Sequence, residues 1–175
     1  MTHVEQEQPL DLVKLTPAAA GEVMTLQRAA YATEAQIYGD PFLPALTQSL
    51  TQVEQELKGF SIGMRLGARL VGAVRWTVES GVAHIGRLTV APDMQGRGLG
   101  TRLLRAAEEA SDAQAFELFT GHLSEANVRL YQREGYLLTR REALREGVDL
   151  VYLRKERPGR RAASTHAQPE HSTST

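Results

Sequence analysis

The stretch from Leu88 to Thr101 limits the possible folds most. Leu88-Thr89-Val90 is a short apolar, β-branched run, and Ala91-Pro92-Asp93 ends it. The glycines Gly96, Gly98 and Gly100 then alternate along the chain. From Leu99 the pattern changes to helical spacing, with Leu99, Leu103, Ala106, Ala107 and Ala110 in one stripe and Arg102, Arg105 and Glu109 opposite. Arg105 and Glu109 stand one turn apart, at pairing distance on a helix. A buried strand therefore feeds a glycine turn that opens directly into a helix.

That junction has a chemical use. Glycine lets the backbone approach an anion with no side chain between them. The first N–H groups of a helix have no partner within it, and the helix dipole adds positive potential there. Such a start binds phosphate, and Arg97 and Arg102 add full charges. A structural turn with close helix–sheet packing is the plainer alternative, but the glycines cluster at the junction itself. Neither common nucleotide fingerprint fits. Gly100 is followed by Thr101-Arg102 rather than Lys-Ser or Lys-Thr, and the glycine spacing differs from Gly-x-Gly-x-x-Gly.

The rest of the chain predicts a mixed sheet with helices on its faces. Residues 10–15 read as a first strand. Thr16-Pro17 reads as a helix start, with a helix over residues 18–38. Gly39-Asp40-Pro41 and Pro44 mark a loop poised to close over something. A second helix is expected over 49–58, ended by Gly59. Strands follow over 60–66, 70–78 and 82–90, the last central and covered on both faces. Strict alternation puts Arg87 on the face opposite His84. After the helix from Leu99 come a strand over 115–120, a helix capped by Ser124 and stopped by Gly135, and strands over 136–140 and 148–154. The fold class is α+β (α/β), with residues 10–156 as one domain. Residues 1–9 are expected to be a flexible N-terminus. Residues 157–175, poor in apolar residues, are expected to be a disordered tail, and the basic stretch Arg154 to Arg161 that leads into it a solvated terminus.

Composition removes several function classes. The chain has no cysteine, so a disulfide scaffold, a zinc–thiolate site and a cysteine nucleophile are excluded. Its formal net charge of −1 gives no general case for nucleic-acid binding. No apolar run approaches a membrane span, and the polar N-terminus lacks the pattern of a secretory signal, so a cytoplasmic, water-soluble protein with no membrane partner is expected. No metal-ligand spacing is visible, and His122 reads as a surface residue. Gly59-Phe60-Ser61-Ile62-Gly63 spells a nucleophile elbow, but a helix precedes it and a strand follows, the reverse of what that motif needs.

Gln95-Gly96-Arg97-Gly98-Leu99-Gly100 resembles the acetyl-CoA signature of the GCN5-related N-acetyltransferases: Gln or Arg, two residues, Gly, one residue, then Gly or Ala. Asn127, Leu130-Tyr131 and Gly135-Tyr136 are similar to the second half of that signature. The order of elements agrees over roughly residues 10–155. The resemblance implies a mostly antiparallel sheet of six to seven strands flanked by about four helices, with acetyl-CoA as acyl donor and no metal. It implies that Leu88 and Val90 offer backbone groups to the pantetheine arm, and that Gln95, Gly96, Arg97, Gly98, Leu99, Gly100 and Thr101 cradle the pyrophosphate. Asn127 would contact the pantetheine side, and Tyr131 would protonate the departing thiolate. A homodimer is common in the family.

The chemistry then requires a neutral amine, a group to take its proton, and a donor for the oxyanion, which the Val90 N–H could supply. His84, six residues before Val90, is the candidate base, since imidazole titrates near neutrality; Glu79 is the alternative. Glu34 and Tyr38, one turn apart beside the Gly39 loop, are candidate acceptor contacts. The expected function is transfer of an acetyl or short acyl group to a primary amine of a small molecule or protein, by direct attack without a covalent enzyme intermediate. The competing reading is a degenerate module that only binds acyl-CoA, as a sensor or a structural element.

Overall fold

The computed structural model describes residues 8–159. Seven strands form one sheet: β1 (Leu10–Lys14), β2 (Phe60–Leu66), β3 (Arg69–Glu79), β4 (Val82–Val90), β5 (Ala115–Gly121), β6 (Leu137–Arg145) and β7 (Val148–Glu156). Their spatial order is β1-β2-β3-β4-β5-β7-β6. Every neighbouring pair is antiparallel except β4 and β5. The helices are α1 (Ala20–Tyr38), α2 (Pro44–Thr47), α3 (Leu50–Glu56), α4 (Leu99–Ala110) and α5 (Glu125–Arg133). The expected fold class holds, with the short α2 added where a loop was anticipated.

The two faces of the sheet are read from β3. Gly72 meets Leu103 of α4, while Arg75, three positions on and so of opposite parity, donates to Gln27 of α1. Helices α1 and α4 thus lie on opposite faces. Helix α5 shares the α4 side: Leu130 packs near Gly100, and Arg105 grips Glu134 through two nitrogens at 2.7 and 3.1 Å. Arg105 therefore pairs across to the C-cap residue of α5 rather than with Glu109, one turn along its own helix. Leu104 joins the buried stripe of α4, and Ala110 lies exposed.

Strand β4 is fourth of seven, yet His84 and Gly86 on it are exposed. Helices α1 and α4 cross both β3 and β4 from opposite faces, but the cover is complete only on β3, which is buried from Leu70 to Trp76. The alternation expected along β4 also breaks. Ala73 pairs with Thr89 but Arg75 with Gly86, so two steps on β3 face three on β4. The extra residue is a β-bulge, with Arg87 at a φ of 51°. The bulge turns Arg87 to the α1 face, the side that His84 also takes through its pairing with Thr77.

Two other local readings change. Thr16 precedes a 3₁₀ turn over Pro17–Ala19 and makes no side-chain cap, whereas Ser49 and Gln52 form a complete capping box on α3. Arg157, assigned to the tail, is seated at the C-terminal end of α4. Its guanidinium donates to the carbonyls of Glu108, Ser111 and Ala113 and lies over the Phe116 ring. Those carbonyls lack helical donors, so a cation fits there. Most of the predicted N-terminal segment and tail lies outside the described residues. Among the described residues, no helix is long and apolar enough to cross a membrane.

Candidate active site

Strands β4 and β5 are paired only at their starts, Val82 to His84 against Ala115 to Glu117. Beyond His84 they part. The Ala91 N–H donates to the Val71 carbonyl at 2.8 Å, so Ala91 and Thr89 turn their backbone groups toward β3. By alternation, Leu88 and Val90 turn theirs into the gap. The Gln95 side chain donates to the Val90 carbonyl at 3.3 Å, which fixes the glycine turn against this open edge.

The turn leaves its donors free. Gly96 and Gly98 have φ of 76° and 77°, a left-handed conformation that disfavours other residues. A Cβ at either would meet nothing within 4 Å, so the space beside them is open. The first bond of α4 runs from the Arg102 N–H to the Gly98 carbonyl at 3.1 Å. The amides of Leu99, Gly100 and Thr101 have no acceptor among the described residues. Gly100 plays a different part: a Cβ there would come to 3.3 Å from Leu130, so glycine lets α4 start against α5. Arg97 and Arg102 are exposed and unpaired among the described residues, while Asp93 is held by Arg69 through two bonds at 2.6 and 2.7 Å. That ion pair holds the Asp93 carboxyl below its usual range and offsets the negative charge closest in sequence to the turn. A pyrophosphate fits this set of free amides, open glycines and guanidinium groups.

Tyr131 approaches the same gap from α5. Burial, followed by the charges of Tyr31 and Glu34, pushes its hydroxyl pKa well above the ordinary tyrosine value. Tyr31 and Glu34 belong to α1, on the other face of the sheet. The three groups are therefore within charge reach of one another across the sheet.

Helix α1 lines the opposite wall with a polar stripe. Gln27, Tyr31, Glu34 and Tyr38 recur at helical spacing on its inner face. Gln27 is buried; its amide donates to Ala45 of α2 and to Gln48, and its carbonyl oxygen accepts from Arg75 at 2.7 Å. The segment expected to be a closing loop is thereby pinned. Ser124 stands at the start of α5 but makes no cap bond. Its hydroxyl donates to Glu34 at 2.5 Å and lies 2.7 Å from the Tyr38 hydroxyl. Serine has one proton to give, and Glu34 takes it, so Tyr38 donates to Ser124. The cap hydroxyl has been diverted to hold two α1 side chains.

The structure thus gathers Tyr131, Glu34 and Tyr38 beside the gap. Asn127 lies one turn before Tyr131 and donates to Thr120 at 3.3 Å. His84 lies apart, on the paired start of β4, with its Nδ1 3.8 Å from Glu117. Glu79 is exposed at the tip of the β3–β4 hairpin, opposite Val82. His122 is partly buried, and its Nδ1 accepts from the Asp149 N–H at 3.0 Å. Ser61 is buried in β2, with its hydroxyl on the Leu15 carbonyl. A cleft of about 310 Å³ lined by Leu12, Phe60, Ile62, Trp76 and Ala110 opens at the far end of α4 and holds none of the site residues. Sequence reasoning missed Tyr31, Arg75 and the lateral use of Ser124. The four-residue polar stripe of α1 was the available signal.

Comparisons with known proteins bear on the fold and the family. The PaiA N-acetyltransferase from Thermoplasma acidophilum, solved in complex with coenzyme A, superposes with a TM-score of 0.73 at 16% identity, over 85% of this chain and 99% of that one. An acetyltransferase from Thermus thermophilus superposes with a TM-score of 0.68 at 19% identity, over 86% of this chain and 98% of that one. At these identities the likeness carries the fold. In sequence, the UPF0157 protein YqkA of Bacillus subtilis (strain 168) is 29% identical over 118 residues, which are 67% of this chain and 34% of that protein. The chain therefore spans about a third of the length of the curated relative it matches. Residues 29–157 match the family model described as the acetyltransferase (GNAT) domain, and the chain belongs to that family.

Proposed function

We propose that this protein transfers an acetyl or short acyl group from acetyl-CoA to a primary amine, by direct attack within a ternary complex. One observation carries the reading: the free amides at the start of α4 adjoin the gap between β4 and β5, where Tyr131 meets groups from the opposite wall. Acetyl-CoA supplies an activated thioester carbonyl when bound.

The chain's residues supply the rest. The amides of Leu99, Gly100 and Thr101, with Arg97 and Arg102, hold the pyrophosphate. Gln95 braces the turn, and Gly96 and Gly98 keep it open. The Leu88 and Val90 backbone groups and Asn127 align the pantetheine arm, and the Val90 N–H faces the developing oxyanion. As the amine nitrogen bonds to the acyl carbon and the C–S bond breaks, Tyr131 gives its proton to the leaving sulfur. Like any tyrosine it is protonated at neutral pH, and so carries the proton to donate. Glu34 and Tyr38 hold the amine, and the amine's proton leaves toward Glu34 or, farther out, His84; Glu79 borders that outer rim. The acceptor is a small-molecule or protein amine.

The test is thiol release from acetyl-CoA across a panel of primary amines. Amine-dependent release supports the reading. Tight acetyl-CoA binding without release for any amine would overturn it in favour of a module that only binds acyl-CoA.

A further inference from the structure

Two guanidinium groups lie side by side on the α1 face of the sheet, and neither is fully satisfied. Arg75 is 7% exposed. Its Nη2 serves Gln27 at 2.7 Å and Glu56 at 3.1 Å, while its Nη1 has no partner. Arg87 lies within hydrogen-bonding reach of the Tyr31 hydroxyl but makes no ion pair among the described residues, and its buried Nε has no partner. Leaving buried charged donors unmatched is costly. Arg87 also sits at the bulge with its left-handed φ of 51°, a conformation that persists where surrounding structure enforces it and that clusters at ligand sites.

Across the same space lies an unmatched anion. Glu34 accepts from Ser124 but has no cationic partner among the described residues. The Tyr31 hydroxyl lies within charge reach of Arg87, Arg75 and Glu34. The wall under α1 therefore offers, around Tyr31, a cation and a carboxylate that each lack an ion-pair partner among the described residues. A polyamine would meet two guanidinium groups there and be repelled. A zwitterion would satisfy both ends, since a carboxylate accepts two parallel N–H bonds from a guanidinium.

We propose that the acceptor is an amine that also bears a carboxylate, an amino acid, with its carboxylate on Arg87 and its amino group at Glu34 beside Tyr131. This rests on the acyltransferase reading and narrows its substrate class.

The test uses the full chain saturated with acetyl-CoA. Thiol release is measured with the common α-amino acids, with β-alanine and γ-aminobutyrate, with the carboxamides of the best acceptors, and with spermidine. Binding of the same amino acids to the CoA-loaded protein is measured by calorimetry. Amino acids should react, and their carboxamides should show a KM about 10- to 100-fold higher at similar kcat, the effect of losing charge-assisted hydrogen bonds. Arg87→Met should raise the amino-acid KM by the same factor and abolish the acid–amide difference, with acetyl-CoA affinity unchanged. Arg87→Lys serves if the methionine variant fails to fold, and should keep the charge preference while losing most of the affinity. Carboxamides or spermidine reacting as well as the acids would overturn the inference while leaving the acyltransferase reading intact. Amino acids that bind the CoA-loaded protein through Arg87 without thiol release would uphold the carboxylate site and refute the acyltransferase reading. Neither binding nor turnover of any amino acid would overturn the inference.

Discussion

Replacing Gly98 by Asp tests the phosphate cradle most sharply, because the structure separates its effects on folding and binding. Gly98 caps α4 with φ 77° and ψ 12°. A Cβ there would meet nothing within 4 Å, so the substitution introduces no clash at that atom. The left-handed backbone costs about 1–2 kcal/mol for an ordinary residue and less for Asp. An Asp at this position can also accept from the free amides of α4, which returns about 1 kcal/mol. The fold should therefore lose little, with a melting shift of at most ~4 °C. Binding should lose much. A carboxylate about 4 Å from a phosphate oxygen costs ~4 kcal/mol at an effective dielectric constant of ~20. Even halved by solvent and salt, that weakens CoA binding more than about 20-fold, and the new side chain competes for the same amides. Gly98→Ala carries the strain without the charge and should lose only a few-fold in affinity. Calorimetry with CoA at about physiological salt, beside circular dichroism, reads both quantities. A folded Gly98→Asp variant with an unchanged Kd for CoA would refute the assignment of this turn to the pyrophosphate.

Tyr131→Phe should lower kcat by about 10²- to 10⁴-fold and leave acetyl-CoA affinity nearly unchanged; equal losses in both would make the hydroxyl a binding group instead. Arg157→Ala removes three carbonyl partners at the end of α4 and should cost about 1–3 kcal/mol, seen as a lower melting temperature with unaltered CoA binding. The Tyr136 hydroxyl is held well above its ordinary pKa by burial and by Glu108, to which it donates at 2.8 Å. The unfolded chain releases that proton near pH 10 while the folded chain keeps it, so stability should fall as pH rises above about 10. Tyr136→Phe should flatten that alkaline decline, and an unchanged slope in denaturant titrations would show that other groups cause it.

What could be read from the sequence was local. The glycine turn and the start of α4 depend on residues within a few positions of one another, and so does the capping box at Ser49. Strand β4 was placed to the residue because its ends are marked by Ser80-Gly81 and Ala91-Pro92. The site beyond the cradle depends on distant partners. The bulge that turns Arg87 arises from pairing with β3; the strand-interior Gly86 is a signal for a bulge but does not say which way Arg87 turns. Ser124 obeys the local rule for a cap by position only, since Glu34 and Tyr38 outcompete the helix amides for its hydroxyl. Strand β6 runs to Arg145, five residues past the expected end, because pairing with β7 holds together a charged, fully exposed segment with little strand pattern of its own. Tyr31 lay within a visible stripe, but its weight became clear only once Arg87 and Tyr131 were brought to it.

The most direct test of the central claim is titration calorimetry of the unmodified protein with acetyl-CoA, beside free CoA and NADH. The account predicts saturable binding of acetyl-CoA and CoA and none of NADH, because the turn and the parted strands are shaped for a pyrophosphate with a pantetheine arm. No binding of either CoA species to a well-folded sample would contradict it and leave the glycine turn a purely structural junction.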